Sequence, residues 1–297
     1  PTWEYCVQYR ETDFNFVSRL MEQEGIFYYF LHDKGKHTLV LGDHKGAYYD
    51  CAEKTVDFQP DIGTRIIKDC LTSWERSWEF GSGKWAQTDY NFETPSTSLL
   101  TETESIGTIP GIKKYEVFDF PGEYEKKDDG KADTRIRMEE VEAGFDVAAG
   151  SSCCKTFAPG AKFSIGSHRS ESEQGKSYMI KAITHSAREL QAYETGGGSA
   201  GGTDYQNHFS CIPDSVAFRP VRLTPKPVVN GLQTAVVVGP TGEEIFVDKY
   251  GRVKVQFFWD RQGKKNETSS CWIRVSQTNA ENSFGAMHIP RDRKSTR

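Results

Sequence analysis

The sequence predicts a mainly β protein with one or two packed helices and, toward its C-terminal end, a small antiparallel barrel. Three observations predict it. Aromatic residues are abundant, 18 Phe, 13 Tyr and 6 Trp beside 27 Gly, a balance that favours pleated half-buried surfaces and tight turns. Short β-prone runs recur between clusters of Gly, Pro, Asp and Ser. Past Pro227 the runs alternate apolar and polar residues around hairpin turns, with no helical stretch between them.

Taken in chain order, the first element is a helix. Thr12 or Asp13 opens it, Val17, Leu20 and Met21 recur at helical spacing, and Gly25 supplies the left-handed stop. Its apolar stripe is expected to pack on the next element. That element is a β-hairpin: Ile26 to Leu31 and Thr38 to Leu41 flank the polar turn His32-Asp33-Lys34-Gly35-Lys36. Further strands are predicted over Ile66 to Trp74, Trp85 to Phe92, Tyr115 to Phe120, Lys162 to Ile165 and Tyr178 to His185. Residues 126 to 143 are densely charged and carry Ala132, Ile136, Met138 and Val141, which reads as a second helix with a solvated face. Five of the seven residues from Gly196 to Gly202 are glycine, a flexible loop on entropy alone.

Pro220, Pro225 and Pro227 mark a composition break suited to a semi-rigid connector. Beyond it Ala235 to Val238 and Ile245 to Val247 read as strands, and Arg252 to Trp259 as a longer alternating one. Val253, Val255, Phe257 and Trp259 fall on one face; Lys254, Gln256, Phe258 and Asp260 fall on the other. Cys271 to Ser276, which includes Trp272, repeats the alternation. Charge supports the same division. Residues 225 to 297 hold 12 Lys/Arg against 7 Asp/Glu, whereas the first 224 hold 25 against 35.

The net charge of -5 excludes a wholesale polyanion binder. The longest apolar run, Ile26 to Leu31, is far short of a membrane-crossing helix. Seven cysteines, an odd number without CxxC spacing and with Cys153 and Cys154 adjacent, point to reduced thiols assembled in a cytoplasm. No charged segment followed by an apolar one opens the chain, so no cleavable signal peptide is expected there. The chain starts at Pro1 instead of Met, and an N-terminal portion is expected to be missing.

Catalytic patterns are weak. Gly197-Gly198-Ser199-Ala200-Gly201 matches GxSxG, but glycine on both sides leaves nothing to hold the serine against a base, and the stretch reads as linker. The histidines His32, His37, His44, His168, His185, His208 and His288 form no HExxH and no zinc module with cysteine. Gly81-Ser82-Gly83 is followed by Lys84 and Trp85 and lacks the rest of a phosphate loop. Glu139-Glu140 and Glu243-Glu244 could flank a glycosidic bond, but adjacent acids usually diverge into solvent. No catalytic residue, cofactor or metal is predicted. Phe257-Phe258-Trp259 beside Lys254, Arg261, Lys264 and Lys265 could stack bases. The stronger reading makes Val253, Val255, Phe257, Trp259 and Trp272 barrel core or interface, leaving Phe258 and Lys254 as the candidate stacking pair.

Several segments together resemble a known family. They are Tyr9-Arg10-Glu11-Thr12-Asp13-Phe14-Asn15-Phe16-Val17-Ser18-Arg19-Leu20, then Glu22 to Phe30, Pro121-Gly122-Glu123-Tyr124, Phe209-Ser210-Cys211-Ile212-Pro213, Phe218-Arg219-Pro220, Asp248 to Phe257 and Ser270 to Ser276. As a set these are similar to the VgrG spike proteins of bacterial type VI secretion systems. The resemblance implies phage-tail-hub-like β domains over 1–224 and an OB-fold spike base over 225–297. It also implies a homotrimer that caps a tube of hexameric Hcp rings and carries a needle that pierces the target membrane, delivering an effector or tip protein. Assembly in the bacterial cytoplasm, export through the machine, a mechanical role without catalysis, and no nucleic-acid partner follow from the same resemblance. Members continue past the equivalent of Pro290 into closing barrel strands and the needle, where this chain reads Arg291 to Arg297; it is expected to be incomplete at both ends. The alternative from another class is an OB-fold single-strand nucleic-acid binder using Phe258 and Lys254. A cell-wall glycosidase is the third.

Overall fold

The structure, a computed structural model, describes residues 3–60, 69–107, 109–189, 203–281 and 284–290. The chain divides into two units, Phe14–Pro225 and a second made of Pro1–Asp13 with Lys226–Arg297. Sequence placed the residues before Phe14 with the larger unit; here they group with the chain after Pro225.

In the larger unit α1 (Asp13–Gln23) leads into β1 (Phe27–Asp33), β2 (Lys36–Gly42), β3 (Tyr49–Phe58), β4 (Cys70–Trp78), β5 (Lys84–Gln87), β6 (Thr101–Glu104) and β7 (Glu116–Asp119). Then come α2 (Lys127–Glu142), β8 (Asp146–Ser152), β9 (Ala161–Ile165), β10 (Ser177–Glu189) and β11 (Thr203–Pro213). Six of these strands close a barrel in the order β10-β11-β8-β4-β3-β9. β3 runs parallel to β4 and β9, and the other neighbours are antiparallel.

Period-two alternation decides what enters the barrel. Tyr178 and Ile180 of β10 belong to its core with Val56, Leu71, Phe157, Phe163, Ile165 and Phe209. Two of the aromatic pairs meet edge to face, Trp74 on Tyr178 at 4.8 Å and Phe163 on Phe209 at 5.7 Å, a geometry that ring quadrupoles favour. Gly150 makes room for this arrangement, because a Cβ there would lie 2.7 Å from the Ser73 carbonyl oxygen and 2.9 Å from Phe209 Cζ. Met179, between the two core residues of β10, faces the other way and joins Ile212 and the hairpin residues Phe27 and Tyr29 in a second buried cluster. One face of the β1–β2 hairpin therefore covers the barrel.

The remaining strands form a sheet in the order β6-β5-β7, with α2 against β6 and β5. The buried face of α2 is Gly130, Thr134, Arg137 and Met138. Its spacing is helical, but its chemistry is half polar. Of the apolar residues singled out from sequence, Ala132 is exposed, Ile136 and Val141 are half-buried, and only Met138 is fully buried. The stripe expected of α1 also fails to be its buried side: Val17 is exposed, Leu20 and Met21 are half-buried, and Ser18 and Arg19 are buried. Gly25 does stop the helix, at φ +67°, and a Cβ there would lie 2.6 Å from Ile136 Cγ2. Gly25→Ala is therefore expected to destabilise this unit by more than about 1–2 kcal/mol, strain and overlap adding, as read from the urea midpoint at unchanged slope.

Strands β3, β6, β8 and β11 were not anticipated, and β5 is a shorter ladder than the predicted Trp85 to Phe92. The start of the predicted strand at Ile66, the Gly196–Gly202 loop and the Ser199 motif lie outside the described residues. In the smaller unit β12 (Ala235–Val238) pairs with β13 (Lys254–Phe257), and β14 (Asn279–Glu281) pairs with β15 (Phe284–Ala286). Val247 and Ile273 are each bridged to Val253. Strand pairing among the described residues thus makes two short ladders and two bridges and does not itself draw the OB-type barrel expected from residue 225. Turns at Thr241-Gly242 and Lys249-Tyr250, and the irregular stretch after Phe257, keep the ladders short.

Candidate interaction surfaces

The outer face of the β1–β2 hairpin is apolar and uncovered in the single chain. Register places Tyr28 opposite Leu41, Phe30 opposite Leu39 and His32 opposite His37. Tyr28, Phe30, Leu39 and Leu41 are all at least 40% exposed. Tyr28 meets Phe30 edge-on at 6.1 Å, Phe30 stacks on His32 at 6.3 Å, and the two imidazole Nδ1 atoms stand 2.8 Å apart. Alternation explains the row: Phe27 and Tyr29 go to the barrel, so Tyr28 and Phe30 must point away from it. Phe14 and Val17 of α1 are exposed as well. A second patch lies at β7, which pairs only with β5 among the described residues and is an edge strand. Phe118 and Phe120 are exposed there, as are Phe80 and Tyr115, whose rings meet at 5.3 Å. Large contiguous apolar faces next to a free edge are how soluble chains present association sites.

Between α1, α2 and residues 219–224 lies a rigid joint built on two buried arginines. The last carbonyls of α1 have no helical partner. Arg137 donates Nη2 to Glu22 O at 3.1 Å and to Gln23 O, and its Nη1 to Glu140 Oε2 at 2.5 Å. Arg219 donates Nε to Glu139 Oε2 at 2.7 Å and Nη1 to Gly25 O at 2.9 Å and Asp43 O at 2.6 Å. The Glu22 carboxylate completes the joint, accepting from Leu223 N, Thr224 N and Thr224 Oγ1 at 3.1, 2.9 and 2.8 Å. Only Arg can fork across so many acceptors with one side chain. Residue chemistry did not single out Arg137 or Arg219; a lone Arg between Phe218 and Pro220 was the available signal.

The residues singled out in the smaller unit occupy distinct places. Val253 and Val255 are buried with Val237, and Phe257 packs against them with Val247 and Ile273. Trp259 stacks on Phe257 at 5.0 Å and meets Tyr9 edge-on at 5.9 Å, while its buried Nε1 has no hydrogen-bond partner. Trp272 is tilted against Phe246 at 5.1 Å. Lys254 is only 12% exposed, with Nζ donating to Ser270 O at 2.8 Å and lying 4.9 Å from the Trp272 ring centre. Phe258 is 66% exposed. The two members of the stacking pair therefore differ: Phe258 faces solvent, while Lys254 is held inward. Among the described residues no three His, Cys, Asp or Glu side chains gather as a metal site, and no helix is long and apolar enough to cross a membrane.

Residues 1–191 match the family described as the phage tail baseplate hub (GPD). The chain belongs to that hub family. Type VI secretion spike proteins are its homologues: VgrG1c of Pseudomonas aeruginosa is 42% identical over 291 residues, covering 97% of this chain and 39% of that protein. The actin cross-linking toxin VgrG1 of Vibrio cholerae is 36% identical over 288 residues, covering 97% of this chain and 26% of the toxin. The hub chain thus spans about two fifths or less of these relatives. In solved structures its fold is similar to that of the E. coli c3393 protein, described as a type VI secretion component with structural similarity to the T4 tail proteins gp27 and gp5. The TM-score is 0.54 at 18% identity, over 89% of this chain and 54% of that one. The hub fold accounts for the mainly β chain.

Proposed function

We propose that this chain is the hub and spike-base part of a type VI secretion spike. In this reading it forms a homotrimer, caps the Hcp tube, and carries a membrane-piercing needle by which an effector or tip protein is delivered; it is assembled in the bacterial cytoplasm and leaves through the machine. Its work is mechanical and non-enzymatic. Similarity over 97% of the chain to VgrG1c carries the reading. The exposed hairpin row and the β7 patch support it, since a threefold ring uses each such patch three times and closes. Val253, Val255, Phe257, Trp259 and Trp272 serve as core or subunit interface of the spike base.

Light scattering is expected to give three times the 33.5 kDa chain mass. Phe30→Lys with Leu41→Lys is expected to reduce it to a single chain while leaving the barrel's thermal transition in place, because both side chains already face water in the monomer. A single-chain mass for the unmodified protein at high concentration overturns the trimer.

A further inference from the structure

All seven cysteines are free thiols. Cys51, Cys154 and Cys211 belong to the barrel core, where they act as small apolar side chains. Cys70 and Cys153 are different. The β4–β8 ladder sets Leu71 opposite Ser152, and the alignment continues one residue past it. Cys153 N donates to Cys70 O at 3.2 Å, Cys70 N donates to Cys153 Sγ at 3.2 Å, and the two sulfurs are 3.6 Å apart. Directly opposed residues of an antiparallel pair have Cα atoms about 4.5–5.5 Å apart, inside the span a disulfide bridges. Closing the bond requires each sulfur to move by somewhat under about 1 Å, because the bonded separation is about 2.05 Å.

We propose that Cys70 and Cys153 are an oxidisable pair that forms an intramolecular disulfide across the β4–β8 seam of the barrel on meeting a small-molecule disulfide. Cys153 is partly exposed and Cys70 is buried, so the incoming reagent meets Cys153 first. With glutathione disulfide, the Cys153 thiolate attacks one sulfur, the reagent's S–S bond breaks, and one glutathione thiolate leaves. Cys70 then gives its proton to a departing thiolate or to water and attacks Cys153 Sγ, and the second glutathione leaves. Two protein thiols are oxidised to one disulfide, and one glutathione disulfide is reduced to two thiols. Burial, followed by the Cys153 contact, pushes the Cys70 thiol up to about 11, which fits Cys70 as the resolving partner and not the first nucleophile. The bond would join positions 83 residues apart in sequence and pin a seam of the closed barrel, removing freedom from the unfolded chain. The inference rests on the barrel geometry and is independent of the secretion reading.

The test uses the full chain, incubated with glutathione disulfide, alkylated, digested without reductant and analysed by mass spectrometry. A cross-linked peptide pair containing Cys70 and Cys153 is expected, with the barrel's melting temperature raised by on the order of 5–10 °C and returned by reductant. Cys153→Ser abolishes both effects. Cys70→Ser accumulates glutathione on Cys153, because nothing resolves the mixed disulfide; this variant reads the first step even if the bridge's effect on stability is small. Full alkylation of both thiols after oxidation, a bridge to Cys154 instead, or a Cys70→Ser protein that takes up no glutathione at Cys153 each overturn the proposal.

Discussion

Arg219→Ala is expected to lower the stability of the Phe14–Pro225 unit by about 3–5 kcal/mol, the range for removing one partner of a buried charge pair. The Arg219 side chain is 6% exposed and spends its donors on the Glu139 carboxylate and the Gly25 and Asp43 carbonyls. Without it, the Gly25 and Asp43 carbonyls lose a charged donor, and among the described residues Glu139 keeps its 3.2 Å contact with the exposed Arg135 alone. Arg219→Lys is expected to recover only part of the loss, since a single ammonium cannot hold the same fork. Arg222→Ala is the control. Its contact with Glu140 is 3.7 Å with the Arg222 side chain 42% exposed, and such pairs contribute about 0–1 kcal/mol. Urea titration at constant slope separates the three variants. If Arg219→Ala costs no more than Arg222→Ala, the joint does not hold α1 against α2 and residues 219–224.

The joint also shows where sequence reading stops. α1, the hairpin, α2 and the apolar strand Ala235–Val238 are legible because each is a local pattern, helical spacing or a short apolar run bounded by Gly or polar turns. Two of the strands not anticipated, β8 and β6, fail that test for a specific reason. β8 reads Asp-Val-Ala-Ala-Gly-Ser-Ser and β6 reads Thr-Glu-Thr-Glu; neither carries enough apolar residues to signal a strand. Partners in the closed barrel and in the β6-β5-β7 sheet make them strands, and that pairing is non-local. The buried face of α2 is hidden for a related reason, because Thr134 and Arg137 are buried by hydrogen bonding and hydropathy counts both as surface. Interaction surfaces were half legible. Alternation in the hairpin fixes that Tyr28 and Phe30 share a face, but which face meets the barrel depends on Met179 and Ile212, both far away in sequence.

Acid sensitivity is expected to have two components of opposite sign, and the larger belongs to Glu173. Its carboxylate is buried beside the barrel core, accepting from Tyr178 Oη at 2.6 Å, Arg76 Nη1 at 2.7 Å, Lys176 Nζ at 3.0 Å and Trp74 Nε1 at 3.3 Å. Arg76 is held in turn by Asp146, with contacts of 2.7 and 2.5 Å. Burial alone would raise the Glu173 pKa, but the Tyr178, Lys176 and Arg76 contacts outweigh it and hold the group at about 2 against an ordinary 4.5. The folded state therefore binds this proton less readily than the unfolded chain. The stabilisation is complete above pH 4.5 and is lost as pH falls toward 2, with a magnitude on the order of 2–3 kcal/mol. Asp133 of α2 runs the other way. Burial first, then Glu24, raise it to about 6 against the lowering effect of Arg137, so its contribution is most favourable below pH 3.8 and declines as pH rises to 6. Glu173→Gln is expected to destabilise the barrel at neutral pH by about 2–4 kcal/mol, since Arg76 keeps Asp146 but loses a charged partner, and to converge on the unmodified protein near pH 2. Asp133→Asn is expected to stabilise slightly, and only above about pH 4–6. Denaturant midpoints measured from pH 2 to 7 for the three proteins separate the two slopes. Parallel curves for Glu173→Gln and the unmodified chain across pH 2 to 4.5 would show that the buried carboxylate carries no such linkage.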